Sequence, residues 1–445
     1  MLDNAIDAGG EEASGKGVLF ACKGIVASAF VNGETDIAVT DDGFSLASLF
    51  DSTRVHWADV TALKYEDYAV YVQTRAGAYV LSKIGLNGEP LYINMLASYG
   101  AKVRKCLFAS GSPLIKAKGN VAANGPQTTG VPVEVYEDCI LSLPPDLSAR
   151  RVPLCFLNGF KDQDYVLNVS AVDGTETRYS MLGYEHGPAS KAIQDSVKSL
   201  RAKLIGQITE IDPTLTDAQA TQLSRLMPGG LAAQMGVIRG VAPSFAAALE
   251  AKISKSRAAE TYKVFRELFG ADQICVGFRA NDKSFAFGSQ GGDMPDSTGA
   301  GAGAAAISKA FGGFMSESDS AKDDADQSEP DKYMLLLVAP APSGKACALE
   351  FAGAKDEAAA TFIYRFEGTW ADFRIKLGIA LEAIAWRREI IRYTDEELRK
   401  PENIDYLMTN DRNEALRFVR ASFAGRAIHR TMDSWKKQMT NLLGM

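Results

Sequence analysis

The sequence predicts an α+β fold: tandem antiparallel β-barrels, each capped by a C-terminal helix, then a helical middle segment, a third and split β-unit, and C-terminal helices. Three observations predict it. Apolar and polar residues alternate, with turn signals between, from Val18 to Phe50 and from Arg54 to Ile84, and the same texture returns after residue 133. Each alternating stretch gives way to a helical period. The two stretches also match each other. Val55 falls on Val152, Tyr68 on Tyr165 and Gly77 on Gly174, all 97 positions apart, while Gly85/Gly183 and Pro90/Pro188 lie 98 apart. Apolar and turn positions correspond and surface positions do not, as in a duplicated fold.

In chain order, the polar and acidic residues 1–16 are expected to form a flexible tail. The first β-unit spans 17–110. VHWADVTAL, YAVYVQT and GAYVLSKI read as consecutive strands, joined at Glu66-Asp67 and Arg75-Ala76-Gly77. The stretch EPLYINMLASYGAKVRKCLF places Leu91, Met95, Tyr99, Val103 and Leu107 on one helical face. The second unit, 130–204, repeats the plan with VEVYEDCILSL, RVPLCFLNGF, DYVLNVSAVDG and TRYSMLG, followed by the helix PASKAIQDSVKSLRAKLI. Residues 205–270 turn helical, opening with the capping box Thr216-Asp217-Ala218-Gln219. Strands resume over 271–392 with ICVGFRA, KSFAFGS, KYMLLLVAP, KACALEF and ATFIYRFEG, then a helix from Trp370 to about Arg392. Residues 290–331, Gly/Ala/Ser-rich and then acidic, cannot bury enough apolar surface to fold and are expected to be a disordered insertion. In that insertion Phe311, Phe314 and Met315 offer a short docking motif. Residues 393–445 complete the chain with helices.

Composition narrows the function. A net charge of −7 argues against a general nucleic-acid binder, which needs a basic face to displace counterions. Between Ser316 and Lys332 seven acids face two lysines, so the rest of the chain is close to neutral. The six cysteines are scattered without a C-x-x-C and read as buried apolar residues in a reducing compartment. The N-terminal residues resemble neither a secretory signal nor a presequence, and YMLLLVAPAP is too short to cross a bilayer. The expected location is the cytoplasm, with a peripheral position at the inner membrane face as the alternative.

The carriers of a family resemblance are VHWADVTALKYEDYAVYVQTRAGAYVLSKIG with its helix, and RVPLCFLNGFKDQDYVLNVSAVDGTETRYSMLG with its own. Residues 18–108 and 134–204 resemble bacterial pleckstrin-homology-like (PH-like) domains, and residues 271–392 are a possible third copy. The resemblance implies a bent antiparallel barrel plugged by its terminal helix, and modules that bind proteins or membrane headgroups without a catalytic centre. Phosphoinositide-binding members carry Lys and Arg between the first two strands. Here ASAFVNGETD carries two acids and no base, and an acidic loop repels phosphate. In the second copy Arg150 and Arg151 are the local basic pair.

Signals of catalysis are weak. Gly10, Gly15 and Lys16 come within one residue of a phosphate-binding loop, but Gly17 replaces the magnesium-binding Ser or Thr and a strand follows instead of a helix. Pro342-Ser343-Gly344-Lys345 reads as a hairpin turn. Asp324, Asp326 and Ser328 begin like a calcium loop, but Glu329 stands where Gly is needed. The histidines His56, His186 and His429 are far apart, and His56 should point away from the face that buries Val55 and Trp57. No catalytic, cofactor or metal residue is assigned, and no cofactor is expected. The candidate interaction surface is C-terminal. Leu416, Val419, Phe423, Ala427, Met432, Trp435, Met439 and Leu442 suggest one amphipathic helix flanked by Arg417, Arg420, Arg426, Arg430, Lys436 and Lys437. Three readings follow: a non-enzymatic scaffold binding a protein or peptide, a peripheral protein held on an anionic membrane by that basic helix, and an enzyme whose site the sequence does not display.

Overall fold

The computed structural model describes residues 17–256, 258–280, 332–352, 360–387 and 389–445. Two seven-stranded antiparallel sheets and one six-stranded sheet account for its β-structure. Strands β1 (Val18–Ser28), β2 (Gly33–Thr40), β3 (Gly43–Ala47), β4 (Ser52–His56), β5 (Val60–Glu66), β6 (Ala69–Thr74) and β7 (Ala78–Ser82) order themselves 4-3-2-1-7-6-5, and helix α1 (Gly88–Cys106) follows. Strands β8 (Ile115–Ala123), β9 (Thr128–Val135), β10 (Cys139–Ser142), β11 (Arg150–Pro153), β12 (Leu157–Gln163), β13 (Val166–Ala171) and β14 (Glu176–Ser180) repeat this order, ending in α2 (His186–Ile211). The chain divides into two compact units. One runs to Ala109 and includes Leu141–Arg150; the other comprises Ser110–Ile140 and Arg151–Met445.

The internal repeat extends to backbone conformation. Asp67 and Tyr68 take positive φ values of 50° and 59° in the β5–β6 turn, and Asp164 and Tyr165 take 52° and 59° in the β12–β13 turn. Such a double left-handed turn matches the twist of a tight hairpin. Gly85 and Gly183 sit at φ 64° and 62° just before the helices. Even the irregularities coincide, with a register shift at Val60/Ala62 against β6 and at Leu157/Gly159 against β13. Each sheet wraps an apolar face onto its helix. In the first unit Leu91, Met95, Tyr99 and Val103 of α1 are buried, and Trp57, fully buried, donates from Nε1 to Ser98 Oγ at 2.8 Å. In the second, Ala189 and Ile193 of α2 join Val121, Val133, Leu167, Val169 and Tyr179 in one cluster.

Several expectations are corrected. The sheets are not closed barrels: β4 and β5, and likewise β11 and β12, stand as the two edges of each sheet. VHWADVTAL is two strands, because the chain turns a corner at Trp57–Asp59, where Asp59 N donates to His56 O at 3.0 Å. Apolar residues continue on both sides of that corner, which has no Gly or Pro, and so conceal it. VEVYEDCILSL is likewise split between β9 and β10 by a turn closed by Tyr136 N on Cys139 O, and RVPLCFLNGF by a 3-10 turn at Leu154–Phe156.

The remaining elements belong to the second unit. Helices α3 (Asp217–Leu226), α4 (Met235–Val241), α5 (Pro243–Ser254) and α6 (Ala259–Phe269) pack on the third sheet. Thr216 caps α3 with both halves of the box formed. The third sheet orders β15 (Ala233–Gln234), β16 (Cys275–Ala280), β17 (Tyr333–Pro340), β18 (Ala346–Ala352), β19 (Ala360–Arg365) and β20 (Phe423–Ile428) strictly in sequence. It is therefore a meander completed by a strand from beyond residue 392, and not a third copy of the 4-3-2-1-7-6-5 order. Helix α7 (Trp370–Ala383) stops short of Arg392. Ala385 and Trp386 turn left-handed at φ 48° and 63°, and the Trp386 ring meets Phe351 edge-on at 6.0 Å with Arg279 over its face. That anchorage draws the chain off the helix axis. Short helices α8 (Glu389–Arg392), α9 (Asp395–Leu398), α10 (Ile404–Asp411) and α11 (Glu414–Ser422) precede β20, and α12 (Met432–Leu443) follows it.

Residues 1–16 and 281–331 lie outside the described residues. With them fall the flexible tail, the near-P-loop at Gly10 and Gly15, the KSFAFGS strand, the Phe311 motif, the calcium-like stretch at Asp324 and the insertion.

Candidate functional site

The predicted C-terminal interaction residues, Arg417, Arg420, Arg426, Arg430, Trp435, Lys436 and Lys437, do not form one helical face. The chain there is helix, strand, helix: Phe423–Ile428 leaves the helical period and pairs with β19, Ala427 opposite Thr361 and Arg426 opposite Phe362. The open edge of the third sheet outweighs local helix propensity, and Gly425 at φ 138° marks the departure. Arg417 donates to the carbonyls of Asn410 and Asp411 at the end of α10. Arg420, its side chain 9% exposed, holds Asp395 and the Tyr393 carbonyl. Lys436 reaches Glu267, and Trp435 is buried in the core. Arg426 of β20, Arg430 in the turn after it and Lys437 of α12 stay exposed.

The histidines do not converge either. His56 is exposed beside buried Val55 and Trp57. His186 begins α2 and pairs with Asp162 at 2.8 Å; hydrogen bonds from Ser190 and His186 hold that carboxyl below its usual range. His429 belongs to a polar cluster in which Thr361 donates to Glu350 at 2.7 Å, accepts from Trp435 Nε1 at 3.0 Å and lies 3.0 Å from His429 Nε2. Thr361 is 0% exposed, so its hydroxyl cannot meet a substrate. The cluster ties β18, β19 and α12 together, each buried polar atom meeting another. Among the described residues no group of three His, Cys, Asp or Glu side chains is placed to hold a metal ion, and no helix is long and apolar enough to cross a membrane.

What the fold does build is a groove. It lies between β12, the edge strand of the second sheet, and α2, with a volume of about 490 Å³. Leu157, Phe160, Ile193, Val197 and Ile205 make it apolar, and Lys198 and Arg201 give its lip positive charge. Phe160 and Val197 remain only half-buried although they pack on the sheet's core.

The corresponding groove of the first unit is filled by the chain itself. Leu141–Arg150, the stretch around the β10–β11 connection, belongs to that unit. Pro145 O accepts from Leu63 N on the β5 edge at 2.9 Å, Asp146 bridges Ala62 in antiparallel fashion, and Tyr99 Oη of α1 donates to Asp146 O at 3.3 Å. Leu143 and Pro144 are buried. The repeat offsets map Ala62 and Leu63 onto Gly159 and Phe160, and Tyr99 onto Val197, all three of which line the open groove. Leu63 pairs with Val72 as Phe160 pairs with Val169. The shared register directs the Phe160 N–H to the outer side of β12, as it does that of Leu63 on β5. One edge-and-helix groove is thus occupied by an extended segment, and its counterpart is empty. Sequence reasoning anticipated a protein or peptide ligand but named none of these residues as its site, since their signal appears only when the two copies are compared.

A second hollow of about 570 Å³ borders the Ser343–Lys345 hairpin, but its cations are engaged internally, Lys345 on Gly368 O and Arg365 on the Leu442 and Asn441 carbonyls. No protein-family model matches the chain, and no curated protein shows significant similarity to it.

Proposed function

We propose that each N-terminal sheet with its helix is a PH-like module, and that the chain is a non-enzymatic binding or scaffolding protein. Its ligand is an extended protein segment laid along β12 against α2. Such a segment adds main-chain hydrogen bonds to the strand edge and places alternate side chains in the hollow. The observation that carries this reading is the filled groove of the first unit, where Leu63 N meets Pro145 O and Tyr99 meets Asp146 O. The PH-like assignment draws support from the 4-3-2-1-7-6-5 order closed by a helix, found twice in one chain. The membrane reading draws less support, because the basic residues proposed to carry it are divided among α11, β20, the turn at Arg430 and α12.

The test uses the occupant the chain already supplies. A labelled peptide with the sequence of Leu141–Arg150 is titrated into the full-length protein while amide exchange is followed. Saturable binding with slowed exchange at Phe160 is expected, and loss of both in Ala202→Trp, whose indole would fill the groove from an exposed position. Unchanged exchange throughout β12 and α2 at high peptide concentration would count against the reading.

A further inference from the structure

Resting on that reading, we infer that the segment entering the α2 groove is the β3–β4 loop of a second copy of this chain. The two modules share one strand order, so the β10–β11 connection of the second is the counterpart of the β3–β4 connection of the first. The β10–β11 connection fills the first unit's groove. Its counterpart is occupied with nothing: Leu49 and Phe50, at the tip of the β3–β4 loop, are each 93% exposed. Two adjacent large apolar side chains held in solvent are unusual for an isolated surface, and mark a contact.

The loop is built to present them. Ser48 Oγ accepts from Asp51 N at 3.0 Å and donates to Asp51 O at 3.1 Å, and Ser48 N donates to Asp51 O at 2.8 Å. This closed turn fixes the tip, so little further ordering is needed on docking. The groove is apolar and its lip is charged. Where the first groove holds Tyr99 and Leu63, the second holds Val197 and Phe160, so its lining is reshaped for a different occupant. Lys198 and Arg201 on its lip face an incoming loop whose next residue is the exposed Asp51. The contact is heterologous, loop to groove, so it repeats from copy to copy and yields a ring or a filament.

Sedimentation velocity on the full-length protein, from low to high micromolar concentration, tests this. Wild type should show mass rising with concentration. The loop variant Leu49→Asp/Phe50→Asp and the groove variant Ala202→Trp should each remain monomeric while keeping the wild-type circular dichroism spectrum, since all three positions are exposed. Mixed together, the two variants should stop at a heterodimer, because one retains a working groove and the other a working loop. Arg201→Glu should weaken assembly several-fold and Asp51→Arg on the same background should restore it. A wild type that stays monomeric throughout, or a loop variant that assembles as fully as wild type, overturns the inference. If the Leu141–Arg150 peptide still binds while the chain stays monomeric, the groove reading stands and only the second copy is excluded.

Discussion

The occupied groove of the first unit makes a quantitative demand on residue Leu143, which is 6% exposed there. Leu143→Ala removes three buried carbons from the docked segment without touching the main-chain bond between Leu63 and Pro145. At about 0.8 kcal/mol for each buried carbon, the segment loses about 2.5 kcal/mol of docking free energy, near the lower end of the range for leucine-to-alanine changes in cores. If Leu63 N–H exchanges only when the segment lifts, that loss accelerates its exchange about 70-fold, at 1.36 kcal/mol per tenfold. Hydrogen exchange read by NMR gives the rate at Leu63, with Phe160 as the internal reference. In dilute wild-type protein Leu63 should be the more protected of the pair, because its outward N–H has an acceptor at 2.9 Å. In Leu143→Ala the gap should close while Phe160 is unchanged. Equal protection at the two positions in wild type, or a Leu63 rate that moves less than a few-fold in the variant, would refute the claim that the segment occupies this edge in solution.

Other consequences are independent of the groove. Arg151 is buried between Asp138, 2.7 Å away, and Glu382, and burial works against a charge that the two carboxylates sustain. Arg151→Met should destabilise the second unit by about 3 kcal/mol in urea unfolding, the lower end for a broken buried pair because both acids keep some solvent access. Its repeat counterpart Arg54 is exposed, and Arg54→Met should stay within about 0.5 kcal/mol of wild type. A Cβ on Gly43 would sit 2.0 Å from Val55 O, so Gly43→Ala should force β3 from β4 and cost about 3 kcal/mol or more. Gly85→Ala meets no atom within 4 Å but must hold φ +64°, for about 1 kcal/mol, and Trp57 fluorescence in urea separates the two. Burial pushes the Cys275 thiol up to about 12 from a usual value of 9.0. The folded thiol then keeps its proton where the unfolded one has lost it, so this group's contribution to stability is intact below pH 9.0 and declines as pH rises towards 12. Native protein at pH 8 should accordingly leave Cys275 unlabelled by a thiol reagent that modifies it fully in denaturant.

What the sequence revealed depended on how local the cause was. The helix over Leu91–Leu107, the capping box at Thr216 and the Tyr68/Tyr165 turns are set by neighbours a few residues apart, and each was legible. The strand–turn–strand corner at Trp57 was not, because apolar residues continue on both sides of it and no Gly or Pro marks the turn. The C-terminal stretch misled for the opposite reason. Its apolar spacing satisfies a helix, but β19 offers Phe423–Ile428 a full set of main-chain partners, and that non-local gain decides the outcome. The open groove was legible only in part. Gly24 and Gly119 both pack against the neighbouring strand's carbonyl, at Ser82 and Ser180, and stand 95 apart, whereas Val55 and Val152 stand 97 apart. Two residues have therefore been added between those points in the second copy. One lies between β8 and β9, since Gly24 pairs with Thr35 but Gly119 with Val131, and the other lies in the β10–β11 connection. A lengthened connection carrying Leu143-Pro144-Pro145 is a signal for a reaching segment, though not for the surface it reaches.

The duplication itself explains why one groove is full and the other empty. Each module carries one loop and one groove, and the single loop–groove pair seen here joins the second module's loop to the first module's groove. A chain of two such modules must then leave one loop and one groove over, and they are the β3–β4 loop and the α2 groove. Adding further modules to the chain would not remove the surplus, because every new module satisfies one groove and opens another. Only a lengthened occupant folding back, an added capping segment, or a second chain can end the series. The β3–β4 loop is too short to be the first of these, at four residues, and among the described residues nothing covers Leu49 and Phe50. The loop left over presents two large apolar side chains beside an acid, and the groove left over is apolar with a basic lip, so each supplies what the other lacks.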